Sequence, residues 1–261
     1  MRDWQREDPA ASAAFAAADG DVEFQTDGTM VNSYAGWREM RLSIFAKRQR
    51  GKAVTGRDDW ERRDLPAPHV RVIQAGVRSG ERLGPAWRRM AARLGLRQTA
   101  DITAIADGAR WIWRQLDKHL PGVAGVLDIY HASEQLWAAA HRQFGEGSAQ
   151  ARAWAEARRA TLLREGAPGL LAELSGAEWS AVRGYFEPHG DHTDYAGRLA
   201  AGQSIGSGLV EGACKQVIGR RLKQTGARWK VRRVERMATL CAVQASGQWD
   251  AYWSKATGSS N

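Results

Sequence analysis

Segments that alternate apolar and polar residues occur only in the first half of the chain, and the stretch from His131 to about Ala201 carries helical spacing alone. A period of two sets one face of a strand against a core, whereas a period near 3.6 makes an amphipathic helix. The division predicts a sheet assembled early in the chain and an all-helical block inserted after it. Residues 21–28 alternate and run into Asp27-Gly28, a turn dipeptide, which predicts a first strand ending at Asp27. Met40, Leu42 and Ile44 against Arg41 and Ser43 predict a second, hairpin-connected strand over 40–45, with a basic, solvated loop from Lys47 through Arg57. Residues 70–75 predict a third strand, 80–94 a covering helix, and 102–106 a fourth strand that ends at Asp107-Gly108. A helix over 111–118 is broken by Pro121-Gly122, and 125–130 reads as a short buried strand. Helices then follow at 132–144, 149–164, 170–174 and 177–186, with a turn at Pro168-Gly169. The expected architecture is α/β, with a mixed sheet of about five strands flanked by helices. Its parts are a lead-in over 1–20, a core over 21–131 and 202–250, a helical insertion over 132–201 and a polar tail over 251–261.

Directly after the insertion comes Ser204-Ile205-Gly206-Ser207-Gly208-Leu209-Val210-Glu211-Gly212-Ala213-Cys214-Lys215. Gly206 and Gly208 permit close approach of the backbone, Ser207 is placed to cap a helix opening near Leu209, and Lys215 lies one turn beyond Glu211. The helix is expected to run on through Arg220, Arg221 and Lys223 to Arg228-Trp229-Lys230. Such a cationic run suits a phosphate backbone, and Trp229 between two cations suits either stacking on an exposed base or a place in the core. A dinucleotide-binding loop is excluded, because its third glycine would fall where Glu211 stands and no strand precedes it.

Composition removes several classes of function. No stretch approaches the roughly 18 apolar residues of a membrane helix, and Met1-Arg2-Asp3-Trp4-Gln5-Arg6 lacks the apolar core of a secretory signal, so a cytoplasmic protein is expected. Cys214 and Cys241 are too few for a disulfide framework and lack the paired spacing of a structural zinc site. A net charge of +9 favours a nucleic acid or another anionic partner.

Three acidic residues then stand at telling places: Asp27, Asp107 and Glu211. Adjacent parallel strands can bring the two aspartates together, and a helix crossing the sheet edge can add the glutamate. Hard oxygen donors of this kind suit Mg2+ or Mn2+, and two such ions about 4 Å apart can support in-line attack on a phosphodiester.

With those residues in view, the chain resembles the DDE-type transposases of bacterial insertion sequences, close in plan to the Mutator-like branch with its ribonuclease H-like catalytic core. The resemblance runs from about Val22 to Trp253. It is carried by Thr26-Asp27-Gly28-Thr29 with Gly36-Trp37-Arg38-Glu39, by Ala106-Asp107-Gly108-Ala109-Arg110-Trp111-Ile112, and by Leu127-Asp128-Ile129-Tyr130-His131. Ile205-Gly206-Ser207-Gly208-Leu209-Val210-Glu211 and Gly226-Ala227-Arg228-Trp229 complete it, the former being the most specific block. It implies divalent-metal-dependent cleavage and strand transfer of DNA, with Asp27, Asp107 and Glu211 as catalytic metal ligands. Lys215, Arg220, Arg221, Lys223, Arg228 and Trp229 are then expected to position a double-stranded DNA end, within a homodimer or larger assembly that pairs two ends.

Two departures from the family pattern bear on this. Related enzymes often carry a Cys and a His two residues apart after the second aspartate's helix, and here Asp128 takes the place of the Cys and His131 that of the His. Asp128 is therefore a rival second catalytic aspartate and His131 an accessory donor. Full-length members also carry an N-terminal region that reads the element's ends, whereas this chain opens almost at the first strand, as expected of a fragment or a decayed copy. A non-catalytic DNA-binding or regulatory derivative, and a metal-dependent nuclease without strand transfer, are the alternative functions.

Overall fold

The computed structural model describes residues 9–77, 79–96 and 99–258. The first eight residues of the expected lead-in and the last three of the expected tail lie outside them. Five strands form one mixed sheet: β1 (Asp21–Ser33), β2 (Gly36–Arg48), β3 (Val70–Gly76), β4 (Ile102–Ala106) and β5 (Ala124–Leu127). Their spatial order is β3-β2-β1-β4-β5, with β1–β2 and β2–β3 antiparallel and β1–β4 and β4–β5 parallel. The architecture is thus the expected α/β mixed sheet, consistent with a ribonuclease H-like fold.

Before the sheet lies α1 (Pro9–Ala17), and between the later strands lie α2 (Gly80–Arg93) and α3 (Arg110–His119). Trp87 of α2 is fully buried against Phe24 and donates its indole N–H to Ser43 Oγ at 2.7 Å, so this helix is fixed in rotation as well as depth. The inserted block holds α4 (Ile129–Phe144), α5 (Ala149–Ala172), α6 (Ser180–Phe186) and α7 (Tyr195–Ala200). It is tied to the sheet by the buried Tyr195, whose hydroxyl donates to Leu127 O at 2.8 Å. After it come α8 (Gly208–Ala213), a π-helical segment over Cys214–Gly219, the single turn α9 (Arg220–Leu222), α10 (Val231–Ala245) and α11 (Trp249–Thr257).

Of the three apolar clusters among the described residues, two join the sheet to its helices. One joins Phe24, Phe45 and Trp87 to the covering helices and onward into the insertion. The other sets Met40, Leu42 and Ile44 against Val217, Leu222, Val234 and Ala238.

Several boundaries depart from expectation, each for a physical reason. Asp27 does not end β1. It lies inside the strand, opposite Leu42, because β2 supplies a partner for every residue as far as Ser33, and the turn falls at Tyr34-Ala35 before Gly36 (φ 87). Gly28 is in the ladder rather than a turn, and a side chain there would strike Glu39. Lys47 and Arg48 belong to β2, and the loop after them is pinned by Gly51 N–H to Gly202 O (2.8 Å) and Val54 N–H to Leu199 O (3.1 Å).

The fifth strand stops at Leu127, since the Asp128 side chain accepts from Tyr130 N–H and so opens α4. The break expected at Pro168-Gly169 falls instead at Gly166 (φ 67). The helix bearing Glu211 ends at Leu222 rather than reaching Lys230, as Gly226 (φ 77) turns the chain back to bridge Trp229 to β1. The expected tail begins within α11, where Tyr252 is buried.

Candidate active site

The odd-numbered residues of β1 that precede Asp27 are Asp21, Glu23 and Gln25, a polar stripe opposite the apolar Val22 and Phe24. A polar strand face is expected to meet water, yet Glu23 and Gln25 are buried. The segment that covers them is the glycine-rich turn ahead of α8. Ser204 Oγ donates to Glu23 Oε1 at 2.5 Å, Arg48 pairs with the same oxygen at 3.2 Å, and Gln25 Oε1 accepts the Val210 N–H at 3.0 Å. Gln25 thereby satisfies a first-turn donor of α8 and fixes that helix over the next polar residue of the stripe, Asp27.

Register sets the other carboxylates beside it. Gln25 pairs with Ile105, so two residues further on Asp27 is level with Asp107. Ala106 pairs with Leu127, and the Asp128 N–H continues that ladder to Ala106 O at 2.8 Å, so Asp107 is level with Asp128. Three aspartates of three neighbouring strands therefore form a row at the carboxyl edge of the parallel half, where open α/β sheets bind ligands. Glu211 is presented to the row by α8, and His131 by the first turn of α4.

The groups in the row differ in how they are bound. Asp128 is completely buried and accepts four hydrogen bonds: at Oδ1 from Tyr130 N–H and Ser207 N–H (3.2 Å each), and at Oδ2 from His131 Nδ1 (2.5 Å) and Ser207 Oγ (2.9 Å). Burial acts to raise its pKa, but the bonds from His131 and Ser207 outweigh burial and hold the carboxyl below the ordinary value. Four bonds use the acceptor capacity of a carboxylate. Ser207 thus stands at the N-cap position of α8 but spends its hydroxyl on Asp128 and Glu211 Oε1 (3.3 Å) instead of a backbone N–H.

Asp27 is the opposite case. Its Oδ1 accepts the Gly28 N–H at 2.6 Å, and the Cys214 thiol stands 4.0 Å from its Oδ2. Burial pushes its pKa up, the Gly28 N–H and the His131 cation oppose the rise, and the charges of Asp107 and Glu211 add to it. Asp107 Oδ1 accepts the Ala109 N–H at 2.8 Å, and its carbonyl accepts the Trp113 indole at 2.8 Å. A group of carboxylates whose charges act on one another in this way suits a hard divalent cation through its oxygen donors.

Among the described residues, Asp128, His131 and Glu211 are a group whose ligand atoms all lie within 4.8 Å of one another. Asp27 and Asp107 stand outside that group, near enough to act on each other through their charges. Lys215, Arg220, Arg221, Lys223 and Arg228 are exposed along the segment after Glu211. Trp229 is half-buried in the second cluster, with its indole N–H on Leu222 O at 3.0 Å, so it clips the loop to the ribbon of β1 and β2.

Residues missed from the sequence include Gln25, whose role depends on a partner far along the chain, and Tyr185 of the insertion, while Ser207, expected as a helix cap, bonds Asp128 instead. Tyr185 presses on Gly108, where any side chain would collide with its ring, and its hydroxyl is held above its usual pKa by burial and by Asp107. The signal available for Gly206 was sounder: a Cβ there would lie 2.7 Å from Tyr130 Cε2 and 3.3 Å from Asp128 Oδ1.

The Asp128 partnership raises His131 from 6.5 to about 9, against the effect of burial. A histidine raised in the folded state contributes stability that is full below its unfolded pKa and lost as pH climbs through the folded one. In metal-free protein, thermal melting should therefore show wild type losing its advantage over His131→Gln between about pH 6.5 and 9. Parallel melting curves for the two proteins across that window would refute the ion pair. Neither protein-family models nor curated proteins yield a match to this chain.

Proposed function

We propose that the chain is a DDE-type transposase of the Mutator-like plan, cleaving and joining DNA phosphodiester bonds with Mg2+ or Mn2+ held by Asp27, Asp107 and Glu211. The observation that carries this reading is the level row of aspartates beneath a helix-borne glutamate, on a segment that continues into a run of exposed cations. Between residues 212 and 249 the single acidic residue is Glu235, whereas Lys230, Arg232, Arg233 and Arg236 join the five exposed cations already described. The bound ions would neutralise charge at the scissile phosphate and acidify the attacking water or 3′-hydroxyl.

The protein's own groups divide that work. Asp107 is favoured over Asp128 as the second ligand, because Asp128 would have to surrender hydrogen bonds already made to Ser207, Tyr130 and His131. Asp128 instead orients His131 and the glycine turn, and His131 faces the row as a cation able to donate to a phosphate oxygen. The basic segment grips the duplex through phosphates, which fixes position without reading sequence.

The test is incubation of the purified chain with supercoiled plasmid in Mg2+ or Mn2+ and, separately, in EDTA. Nicking or joining that requires the ion is the expected result. Salt-sensitive DNA binding with no cleavage under any ion would replace the enzyme with a non-catalytic DNA-binding protein. Neither binding nor cleavage would remove DNA as the substrate.

A further inference from the structure

Within the row of aspartates, Asp107 depends most on outside support. Asp27 lies inside a strand, paired with Leu42, and Asp128 is fixed by its four hydrogen bonds. Asp107 stands one residue past the end of β4, whose pairing stops at Ile105 toward β1 and at Ala106 toward β5. Its side chain accepts from the neighbouring Ala109 N–H, so the direction of the carboxylate follows the backbone of residues 107–109.

That backbone is gripped by the helical insertion. Tyr185 of α6 lies directly on Gly108, where a Cβ would stand 2.4 Å from ring Cε2, 2.6 Å from Cζ and 2.7 Å from the hydroxyl oxygen. Only glycine admits so close a ring. After burial, the Asp107 charge is the influence that most raises the Tyr185 hydroxyl, as its nearness to the carboxylate requires. The peptide after Asp107 is held a second time through Trp113, whose indole donates to Asp107 O at 2.8 Å. The Trp113 ring is stacked on His192, with centroids 4.1 Å apart and planes 13° from parallel. His192 belongs to the 3-10 turn Glu187–His192 that follows α6. Gly125 of β5 leaves room for the stack, since a Cβ there would lie 2.6 Å from His192 Cδ2 and 2.7 Å from Trp113 Cζ3. The buried His189 fills the same turn, its ring 5.2 Å from Trp113 and its Nδ1 3.3 Å from His192 Nδ1. An insertion that only covered the sheet could rest on side chains anywhere along α3 and β5, whereas this one bears on the peptide that carries Asp107.

We propose that Tyr185 is a positioning residue: its ring, together with the Trp113–His192 stack, clamps the Asp107–Gly108 peptide and so fixes the direction of the Asp107 carboxylate. The proposal rests on the reading of Asp107 as a metal ligand given above. The test measures Mn2+ binding to the purified chain without DNA, from the electron paramagnetic resonance of the free ion, alongside thermal melting in EDTA. Tyr185→Ala and Tyr185→Leu should bind Mn2+ about 10–100-fold more weakly, the scale seen when a partner behind a metal ligand is removed. Tyr185→Phe keeps the ring over Gly108 and should bind close to wild type. Affinity for DNA in EDTA should be unchanged in all three, because the exposed cations are untouched. Asp107→Asn serves as the reference for loss of the ligand itself.

Undiminished Mn2+ affinity in folded Tyr185→Ala or Tyr185→Leu, with Asp107→Asn weakened, overturns the proposal. Equal loss in Tyr185→Phe and Tyr185→Ala also overturns it, by moving the effect from the ring to the hydroxyl. If both ring-less variants lose their melting transition while Tyr185→Phe keeps it, Tyr185 is a packing residue and the proposal falls as well. A wild type that binds no Mn2+, or an Asp107→Asn variant that binds it as wild type does, defeats the reading of Asp107 as a ligand, a distinct outcome.

Discussion

Glu211→Gln should lower metal-dependent DNA cleavage by about a thousand-fold or more while leaving the affinity for DNA within about two-fold of wild type. The glutamine keeps the length of the side chain and an oxygen for Ser207 Oγ, now 3.3 Å from Glu211 Oε1, so the fold has no reason to respond. What disappears is a ligand charge above the aspartate row. Metal ions contribute several kcal/mol of transition-state stabilisation, and each 1.36 kcal/mol is a factor of ten in rate. The exposed cations from Lys215 onward are untouched, which is why binding should persist. Cleavage rates and anisotropy titrations on one preparation decide the matter. Unaltered cleavage would take Glu211 out of the site, and equal loss of cleavage and binding would reveal a folding defect.

Asp128→Ala should act on stability instead, costing about 3–5 kcal/mol in urea unfolding, the range for removing one partner of a buried charge pair. The carboxylate joins three parts of the molecule: the start of α4 through Tyr130 N–H, the His131 ring, and the turn before α8 through both Ser207 donors. Alanine takes this acceptor from the Tyr130 and Ser207 N–H groups and leaves the Ser207 hydroxyl only its longer bond to Glu211 Oε1. Asp128→Asn keeps the shape and one acceptor oxygen, so its loss should be clearly smaller. A cost below about 1 kcal/mol for the alanine variant, no more than an average point mutation, would mean that the glycine turn is held mainly by other contacts.

The sheet was legible because its strands announce themselves by alternation, and the insertion because that alternation stops. Elements whose form depends on a distant partner were not. Asp27-Gly28 carries a turn signature, yet the opposing β2 keeps it extended. The chain from Thr225 to Lys230 continues a helical composition but leaves the helix to make backbone bonds with Asn32 and Tyr34. In the candidate site the acidic residues could be named from their places in the pattern. Their bonding could not, because the same residue type serves as a nearly unpartnered carboxylate at Asp27 and a fully bonded one at Asp128. The polar stripe of β1 was visible as letters, whereas its burial is a consequence of Ser204 and Val210 arriving from the far side of the insertion.

That long return also sets an order of events during synthesis. Gln25 and Val210, whose hydrogen bond seats the glutamate-bearing helix, are 185 positions apart. A ribosome adding about 5–20 residues per second completes the last strand roughly 4–16 s before α8 is made. Throughout that interval one side of β1 and β2 lacks its apolar cover, and the row of aspartates lacks its glutamate. Nascent chains should therefore draw on chaperones late rather than early, and a polypeptide halted before α8 would carry the row of aspartates without the glutamate that completes it.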